Sequence, residues 1–179
     1  MLPVCKCRDT SRRGNGQGFS LIELLIVIAI ILLIAAIAIP NLLRAKIAAN
    51  EASATDSVRQ IATAQVAYAA AYPTIGYSAN LSSLGGPSTG CAPSSTTACF
   101  IDSVLSSGSK SGYQVFSAGF ASGGLNTTFV ASSAPSTFNV TGLRLFCIVT
   151  DGVLRINMGA NGSVPAPDVP TCQAYSSAD

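Results

Sequence analysis

The sequence contains no histidine among its 179 residues, and charged residues make up only 10% of it, against roughly 25% in an average soluble domain. The absence of histidine excludes Ser-His-Asp and Cys-His nucleophile machinery and zinc sites that use imidazole. The net charge is +2, and no basic stripe of the kind that binds nucleic acid is present. We therefore expect neither an enzyme nor a sequence-specific nucleic-acid-binding protein, and we expect no metal or other cofactor.

One long hydrophobic run lies near the start of the chain. Residues 19–39 read FSLIELLIVIAIILLIAAIAI and are apolar except for Ser20 and Glu23. At about 1.5 Å per residue, a helix of this length spans roughly 30 Å, the thickness of a bilayer core. Residues 1–18 are basic and have no hydrophobic periodicity, and their positive charges predict a cytoplasmic N-terminus. The sequence thus predicts an unstructured leader followed by a membrane-length helix.

An amphipathic segment, residues 40–72, begins at Pro40. It is rich in alanine, and its apolar side chains recur at steps of three, four or seven, the spacing of one helical face. That face is predicted to comprise Leu43, Ile47, Ala54, Val58, Ile61, Tyr68 and Tyr72, with Arg44, Lys46, Glu51, Asp56 and Arg59 largely off it. We expect one long helix over about 19–71, bent or loosened at Pro40 and ended by Tyr72-Pro73.

The remaining residues, 73–179, are rich in serine, threonine and glycine. A loop region over about 74–111 precedes four predicted strands at 113–118, 127–131, 143–149 and 153–157. Asp151-Gly152 between the last two predicts a tight hairpin turn. Together with the long helix, these strands predict an α+β fold.

Four cysteines lie in this polar part of the chain: Cys91, Cys99, Cys147 and Cys172. An even number of cysteines after an export signal indicates disulfides formed in an oxidising compartment. Proximity in the chain favours Cys91–Cys99 and Cys147–Cys172, although four cysteines allow three connectivities.

Glu23 is unusual, because a carboxylate within an apolar helix costs about 2.5–3.5 kcal/mol to insert and normally has a partner. The nearest cation after the run is Arg44, five or six helical turns away. Two alternatives are open. The amino group of a chain cut before Phe19 could pair with Glu23 of a neighbouring copy, or Glu23 could lie near the membrane surface and be hydrated.

The segment Gly18-Phe19-Ser20-Leu21-Ile22-Glu23, followed by LLIVIAIILLIAAIAIPNLLRA, closely resembles the prepilin N-terminus shared by type IV pilins and the pseudopilins of type II secretion. The resemblance covers about residues 14–72. It implies that a membrane-embedded aspartyl peptidase cuts after Gly18 and methylates Phe19, that Glu23 is used in assembly, and that Pro40 marks where the helix loosens in filaments.

The same resemblance implies a pilin fold, in which a small antiparallel sheet packs on the second half of the long helix. The Cys147…Cys172 spacing is similar to the disulfide-closed C-terminal loop of many pilins. The expected partners are further copies of the chain in a helical filament, the inner membrane before assembly, the prepilin peptidase and the pilus assembly machinery. The expected location is the inner membrane, and then a pilus on the bacterial surface.

Three functions follow in order of preference. The first is the structural subunit of a type IV pilus used for adhesion, twitching motility or DNA uptake, and the second is a pseudopilin of a type II secretion system. The third is a soluble secreted protein released by ordinary signal peptidase, for which Ala36-Ile37-Ala38 offers an Ala-x-Ala site.

Overall fold

The computed structural model describes residues 19–87 and 89–177, so the expected leader and Gly18 lie outside the described residues. The chain divides into two compact units, and the boundary follows Pro40. Helix α1, Leu21–Ala71, contains Pro40 and is the one helix among the described residues that is long and apolar enough to cross a membrane. The predicted long N-terminal helix is therefore confirmed.

Helix α1 begins and ends where the local chemistry requires. Its first backbone hydrogen bond runs from Leu24 N–H to the Ser20 carbonyl oxygen at 3.1 Å. Glu23 lies in the first turn, where the exposed amide groups of a helix favour negative charge. The helix ends two residues before Pro73, because the residue that precedes a proline disfavours the helical conformation.

The buried face of α1 in the second unit agrees only in part with the predicted face. Ala54, Val58, Ile61 and Tyr68 are buried as expected, whereas the side chain of Leu43 is 58% exposed. Glu51, which the charge pattern placed off this face, is only 5% exposed. Glu51 is buried because four hydrogen bonds from the sheet side satisfy its carboxylate, as described below.

The second unit contains a six-stranded antiparallel sheet whose spatial order follows the chain order from β1 to β6. The strands are β1 Ser109–Lys110, β2 Tyr113–Ser122, β3 Leu125–Pro135, β4 Arg144–Val149, β5 Arg155–Met158 and β6 Ser176–Ser177. Three short helices, α2 Leu81–Leu84, α3 Ser103–Ser106 and α4 Val169–Gln173, lie in the connections. The α+β class and the antiparallel sheet are confirmed.

Two hairpin turns differ from expectation. Strands β2 and β3 are joined by Gly123-Gly124, which both have positive φ, and Ser122 pairs with Leu125 across this two-residue turn. Such turns need glycine because an L side chain rarely adopts positive φ at consecutive positions. A tight turn is present at Asp151-Gly152, where Gly152 N–H donates to the Val149 carbonyl oxygen at 2.9 Å and Gly152 has positive φ. Pairing between β4 and β5 nevertheless ends at Cys147 and Arg155, so this turn lies within a wider loop over residues 150–154.

That wider loop is stabilised by Asp151. Its carboxylate accepts hydrogen bonds from Val153 N–H and from the guanidinium of Arg155, both at 3.0 Å. The hydrogen bond from Arg155 is the main reason that the pKa of Asp151 is lowered below its ordinary value. An Asp at the start of a turn commonly accepts bonds from the backbone ahead of it, and Asp151 has this role here.

The two faces of the sheet are covered by different parts of the chain. Because side chains alternate along a strand, Tyr113 and Val115 of β2 face α1, whereas Phe116 and Phe120 face the other way. The core on the first face contains Ala54, Val58, Ile61, Tyr68, Tyr113, Val115, Phe129, Ala131, Phe146 and Ile148. The core on the second face contains Val130, Cys147, Val149, Ala166 and Cys172. The sheet is thus buried between α1 and the C-terminal segment.

A polar cluster centred on Gln65 crosses the first core. Gln65 is completely buried; its Nε2 donates to the Ser78 carbonyl oxygen at 3.2 Å and to Ser117 Oγ at 2.9 Å. Its Oε1 accepts from Ser78 N–H at 2.8 Å, and Ser117 Oγ donates to the Val130 carbonyl oxygen at 2.9 Å. One amide therefore ties α1 to the loop after it and to β2, and every polar atom of the cluster has a partner.

Replacing Gln65 by leucine should destabilise the fold strongly. Leucine has a similar size but leaves the buried Ser78 N–H and carbonyl without partners, which costs about 2–4 kcal/mol in total. Chemical unfolding of the full chain in detergent, followed through tyrosine fluorescence, measures the change. Gln60→Leu is the matched control, since Gln60 is exposed on the same helix and bonds only Asp56. Equal stabilities for the two variants would contradict the role assigned to Gln65.

Candidate assembly site

The segment expected to mediate assembly is uncovered in the single chain. Among the described residues, seventeen of the twenty-five exposed large hydrophobic side chains lie between Phe19 and Leu43. They surround the helix on all sides, and Phe19 itself is 79% exposed. A helix that is apolar on all sides is normally buried in lipid or against other helices, and exposed apolar patches of this size mark interaction sites.

The polar residues at the start of this segment are also exposed. Glu23 belongs to none of the ion pairs that the described residues form. Phe19 and Glu23 are separated by about one helical turn. The backbone nitrogen of Phe19 and the carboxylate of Glu23 therefore lie at the same end of the apolar helix. Phe19, Glu23 and Pro40 lie in the first compact unit, and the four predicted cysteines lie in the second.

Within the second unit, Glu51 joins α1 to β4 near the start of that strand. Its Oε1 accepts from Leu143 N–H at 2.9 Å and from Arg144 N–H at 3.2 Å. Its Oε2 accepts from Arg144 Nε at 2.8 Å and Nη2 at 2.6 Å. A planar guanidinium suits such a two-point contact with a carboxylate. Breaking the ion pair would leave Oε2 of the buried Glu51 carboxylate without a partner, so the contact fixes where the amphipathic half of α1 meets the sheet.

Two further hydrogen bonds near the Glu51–Arg144 pair strengthen the contact between α1 and the sheet. Asn50 Nδ2 donates to the Thr141 carbonyl oxygen at 2.9 Å, and Tyr113 Oη donates to the Arg144 carbonyl oxygen at 3.0 Å. Burial, and after it the nearby charge of Glu51, raises the pKa of Tyr113, so this phenol remains a neutral hydrogen-bond donor. The sequence offered no sign of these contacts except the position of Glu51, which is four residues after Ile47 and three before Ala54.

The disulfide Cys91–Cys99 closes a small loop that packs against α1. Tyr68 Oη donates to the Ser95 carbonyl oxygen at 2.6 Å, and the Tyr68 ring lies 4.7 Å from that of Tyr72. Burial, and then the neighbouring Tyr72, raises the pKa of Tyr68. The two tyrosines, one helical turn apart, pack against each other, and Tyr68 attaches the disulfide loop to α1.

The disulfide Cys147–Cys172 joins β4 to α4 and is completely buried on the second face of the sheet. Nearby, Ser132 Oγ donates to the Ala166 carbonyl oxygen at 2.8 Å, which attaches residues 164–168, a segment with two prolines before α4, to β3. The residues of this bridge are 25 apart in the chain, against 8 for the other bridge. In the chain-entropy account, the bridges contribute about 3.5 and 2.5 kcal/mol respectively.

Comparison with known proteins gives two similarities. Residues 13–39 match the family described as the prokaryotic N-terminal methylation motif. Over 41 residues, the chain is 61% identical to the type IV wide pilus major component PilA4 of Thermus thermophilus. That similarity covers 23% of this chain and 31% of the relative, so the chain spans about a third of the curated relative that it matches. No solved structure matches the chain.

The two disulfides should differ in their accessibility to reductant. Both sulfurs of Cys147–Cys172 are buried, whereas Cys91 and Cys99 are each partly exposed. Since thiol–disulfide exchange requires access to a sulfur atom, graded dithiothreitol under native conditions should open Cys91–Cys99 first. Alkylation followed by peptide mass mapping reads out the order. Simultaneous opening, or earlier opening of Cys147–Cys172, would contradict the arrangement described here.

Proposed function

We propose that this chain is a type IV pilin-like structural subunit that polymerises through residues 19–39 into a filament on the bacterial surface. The match of residues 13–39 to the prokaryotic N-terminal methylation motif and the similarity to a pilus component support this proposal. The observation that carries the proposal is an apolar segment, uncovered on all sides, that precedes a folded unit with its own core. Before assembly the inner membrane covers this segment, and in the filament other copies of the chain cover it.

The energetics support such an exchange of surroundings. Burying one leucine or isoleucine side chain contributes about 1.5–3 kcal/mol relative to water, so the segment is stable only in lipid or among its own copies. Lipid and packed apolar side chains are similar environments for leucine, and transfer between them therefore changes the free energy little. Polar contacts then decide which state is preferred.

Glu23 supplies such a contact in this proposal. A cut between Gly18 and Phe19 creates an amino group one turn away from Glu23 on each copy. Each charge is costly alone in an apolar environment, and the attraction between two of them offsets the cost only when they are close. Copies shifted along the helix axis place the amine of one against the carboxylate of the next. The prepilin peptidase makes the cut and methylates Phe19, and the pilus assembly machinery moves the subunit.

A pilus subunit is preferred to a pseudopilin because the relative is named as a pilus component and because two disulfides stabilise the second unit against the medium outside the cell. The role is structural rather than catalytic. Pro40, at the end of the first unit, is where the helix loosens as the filament forms, since proline removes one backbone hydrogen-bond donor.

The first test concerns processing. N-terminal mass spectrometry of the exported protein should find Phe19 as the first residue, with a methyl group on its amine. The reason is that the expected cut lies before the apolar segment, so the segment is retained. A chain that begins at Ile39 would instead support release by ordinary signal peptidase and would remove the proposed polymerisation segment.

The second test concerns Glu23. Glu23→Gln keeps the size and removes the charge, and Glu23→Ala also favours the lipid phase. Each variant, expressed as the sole subunit, should insert in the membrane at the normal level and yield few or no filaments. Electron microscopy of sheared surface material and blots of membrane fractions measure both. Asp56→Asn, which removes an exposed carboxylate in the second unit, is the matched control and should assemble normally. Abundant fibres from Glu23→Gln would exclude Glu23 as the assembly contact.

A further inference from the structure

Three cations remain without an ion pair among the described residues. Lys110, Arg144 and Arg155 pair with Asp102, Glu51 and Asp151 respectively. Arg44, Lys46 and Arg59 take part in none of these pairs, and all three are exposed on α1. Two of the three, Arg44 and Lys46, lie two residues apart at the start of the second unit, and their side chains therefore point to different sides of the helix.

Chain length places these two residues beside the membrane when the apolar segment is inserted. Leu42 and Leu43 are still exposed apolar side chains, and Arg44 follows them directly. Four residues of any conformation reach at most about 14 Å, so Arg44 lies no further than that from Pro40. The headgroup region of a bilayer is about 5–8 Å thick on each side, and long basic side chains extend readily into it.

A cavity of about 340 Å³ adjoins Arg44. Its lining comprises Arg44, Ile47, Ala48, Glu51, Asn139 and Leu143. The carboxylate of Glu51 already accepts four hydrogen bonds from Leu143 and Arg144, so the free charge at this cavity is the guanidinium of Arg44. A cation next to an apolar wall, with an exposed Val140 beside Asn139 in the chain, matches a molecule that has an anionic group and an apolar body.

We propose that Arg44, at this cavity, and Lys46, on another side of the helix, bind the headgroups of anionic phospholipids while the subunit is in the membrane. The inference rests on the proposed membrane insertion of residues 19–39. Continuity with that segment and the charge of the two cations identify the occupant as a lipid with a net negative headgroup.

A second copy of the chain is a poorer partner for these cations. Among the described residues, three carboxylates take part in no ion pair: Glu23, Asp56 and Asp168. Asp56 accepts from Gln60 at 2.6 Å and Asp168 caps α4 through Thr171 N–H at 2.8 Å. Glu23 lies within the apolar segment. The described surface therefore offers the cations little uncommitted negative charge, whereas an anionic bilayer offers a dense layer of it.

As a consequence, the subunit prefers anionic lipid, and Arg44 and Lys46 cause this preference. Each basic residue near an anionic surface strengthens binding about fivefold. The subunit would therefore carry anionic lipid with it until assembly draws it out of the bilayer, and release of this lipid would be part of the cost of extraction.

Native mass spectrometry of the full chain tests the proposal. The protein is reconstituted in vesicles of equal parts phosphatidylglycerol and phosphatidylethanolamine, released in mild detergent, and the ratio of the two bound lipids is measured. The wild type should favour phosphatidylglycerol. Arg44→Gln and Lys46→Gln should each lower the ratio about fivefold, and Arg59→Gln, which removes the third unpaired cation further along α1, should leave it unchanged.

Several results would overturn the inference. An unchanged ratio in the Arg44→Gln, Lys46→Gln double variant would exclude these side chains, and an equal loss in Arg59→Gln would show that only total charge matters. Loss of dimers rather than of lipid in the double variant would indicate a second copy as the partner. Extraction at high pH distinguishes failure of the proposed function from failure of this inference. A wild-type chain that is washed from the vesicles overturns both, whereas an inserted chain without lipid preference overturns only this inference.

Discussion

Helix α1 must be covered in two different ways along its 51 residues, and the other features of the molecule follow from this requirement. Before Pro40 its side chains are apolar on every side, and none of residues 19–87 and 89–177 buries them. After Pro40 only one face is buried, and the sheet covers it. The first half therefore requires lipid or other copies, while the second half requires a core that is complete within one chain.

The second requirement explains why polar contacts fix the amphipathic half so firmly. A smooth apolar face could slide or rotate on a sheet at small cost, because apolar contacts have little directionality. Glu51 and Gln65 prevent this, since each is buried and each has partners at only one position on the sheet side. Displacement of the helix by one turn would leave both groups unsatisfied in the core.

The extent of α1 and the segment proposed for assembly could be predicted from the sequence, because both depend on residues that are neighbours in the chain. Strands β2 and β3 were predicted too short. Their ends contain glycine and serine, which have low strand propensity but are held in the sheet by pairing with neighbouring strands. Glu51 and Gln65 were missed for another reason. A charge pattern assigns polar residues to solvent, and the atoms that satisfy Glu51 lie more than 90 residues away in the chain.

The order of the strands has a consequence for how the second unit forms under the proposed export of the chain. The spatial order of the strands is the same as their order in the chain. Each new strand therefore pairs with the strand before it, and no later strand has to insert between two earlier ones. For a chain threaded across a membrane from its N-terminal side, α1 arrives first and each strand then adds to an edge that already exists. The C-terminal segment closes the second face last. Nearest-neighbour assembly of this kind keeps loop closures short and folding fast, and it leaves no interior gap in the sheet at any stage of translocation.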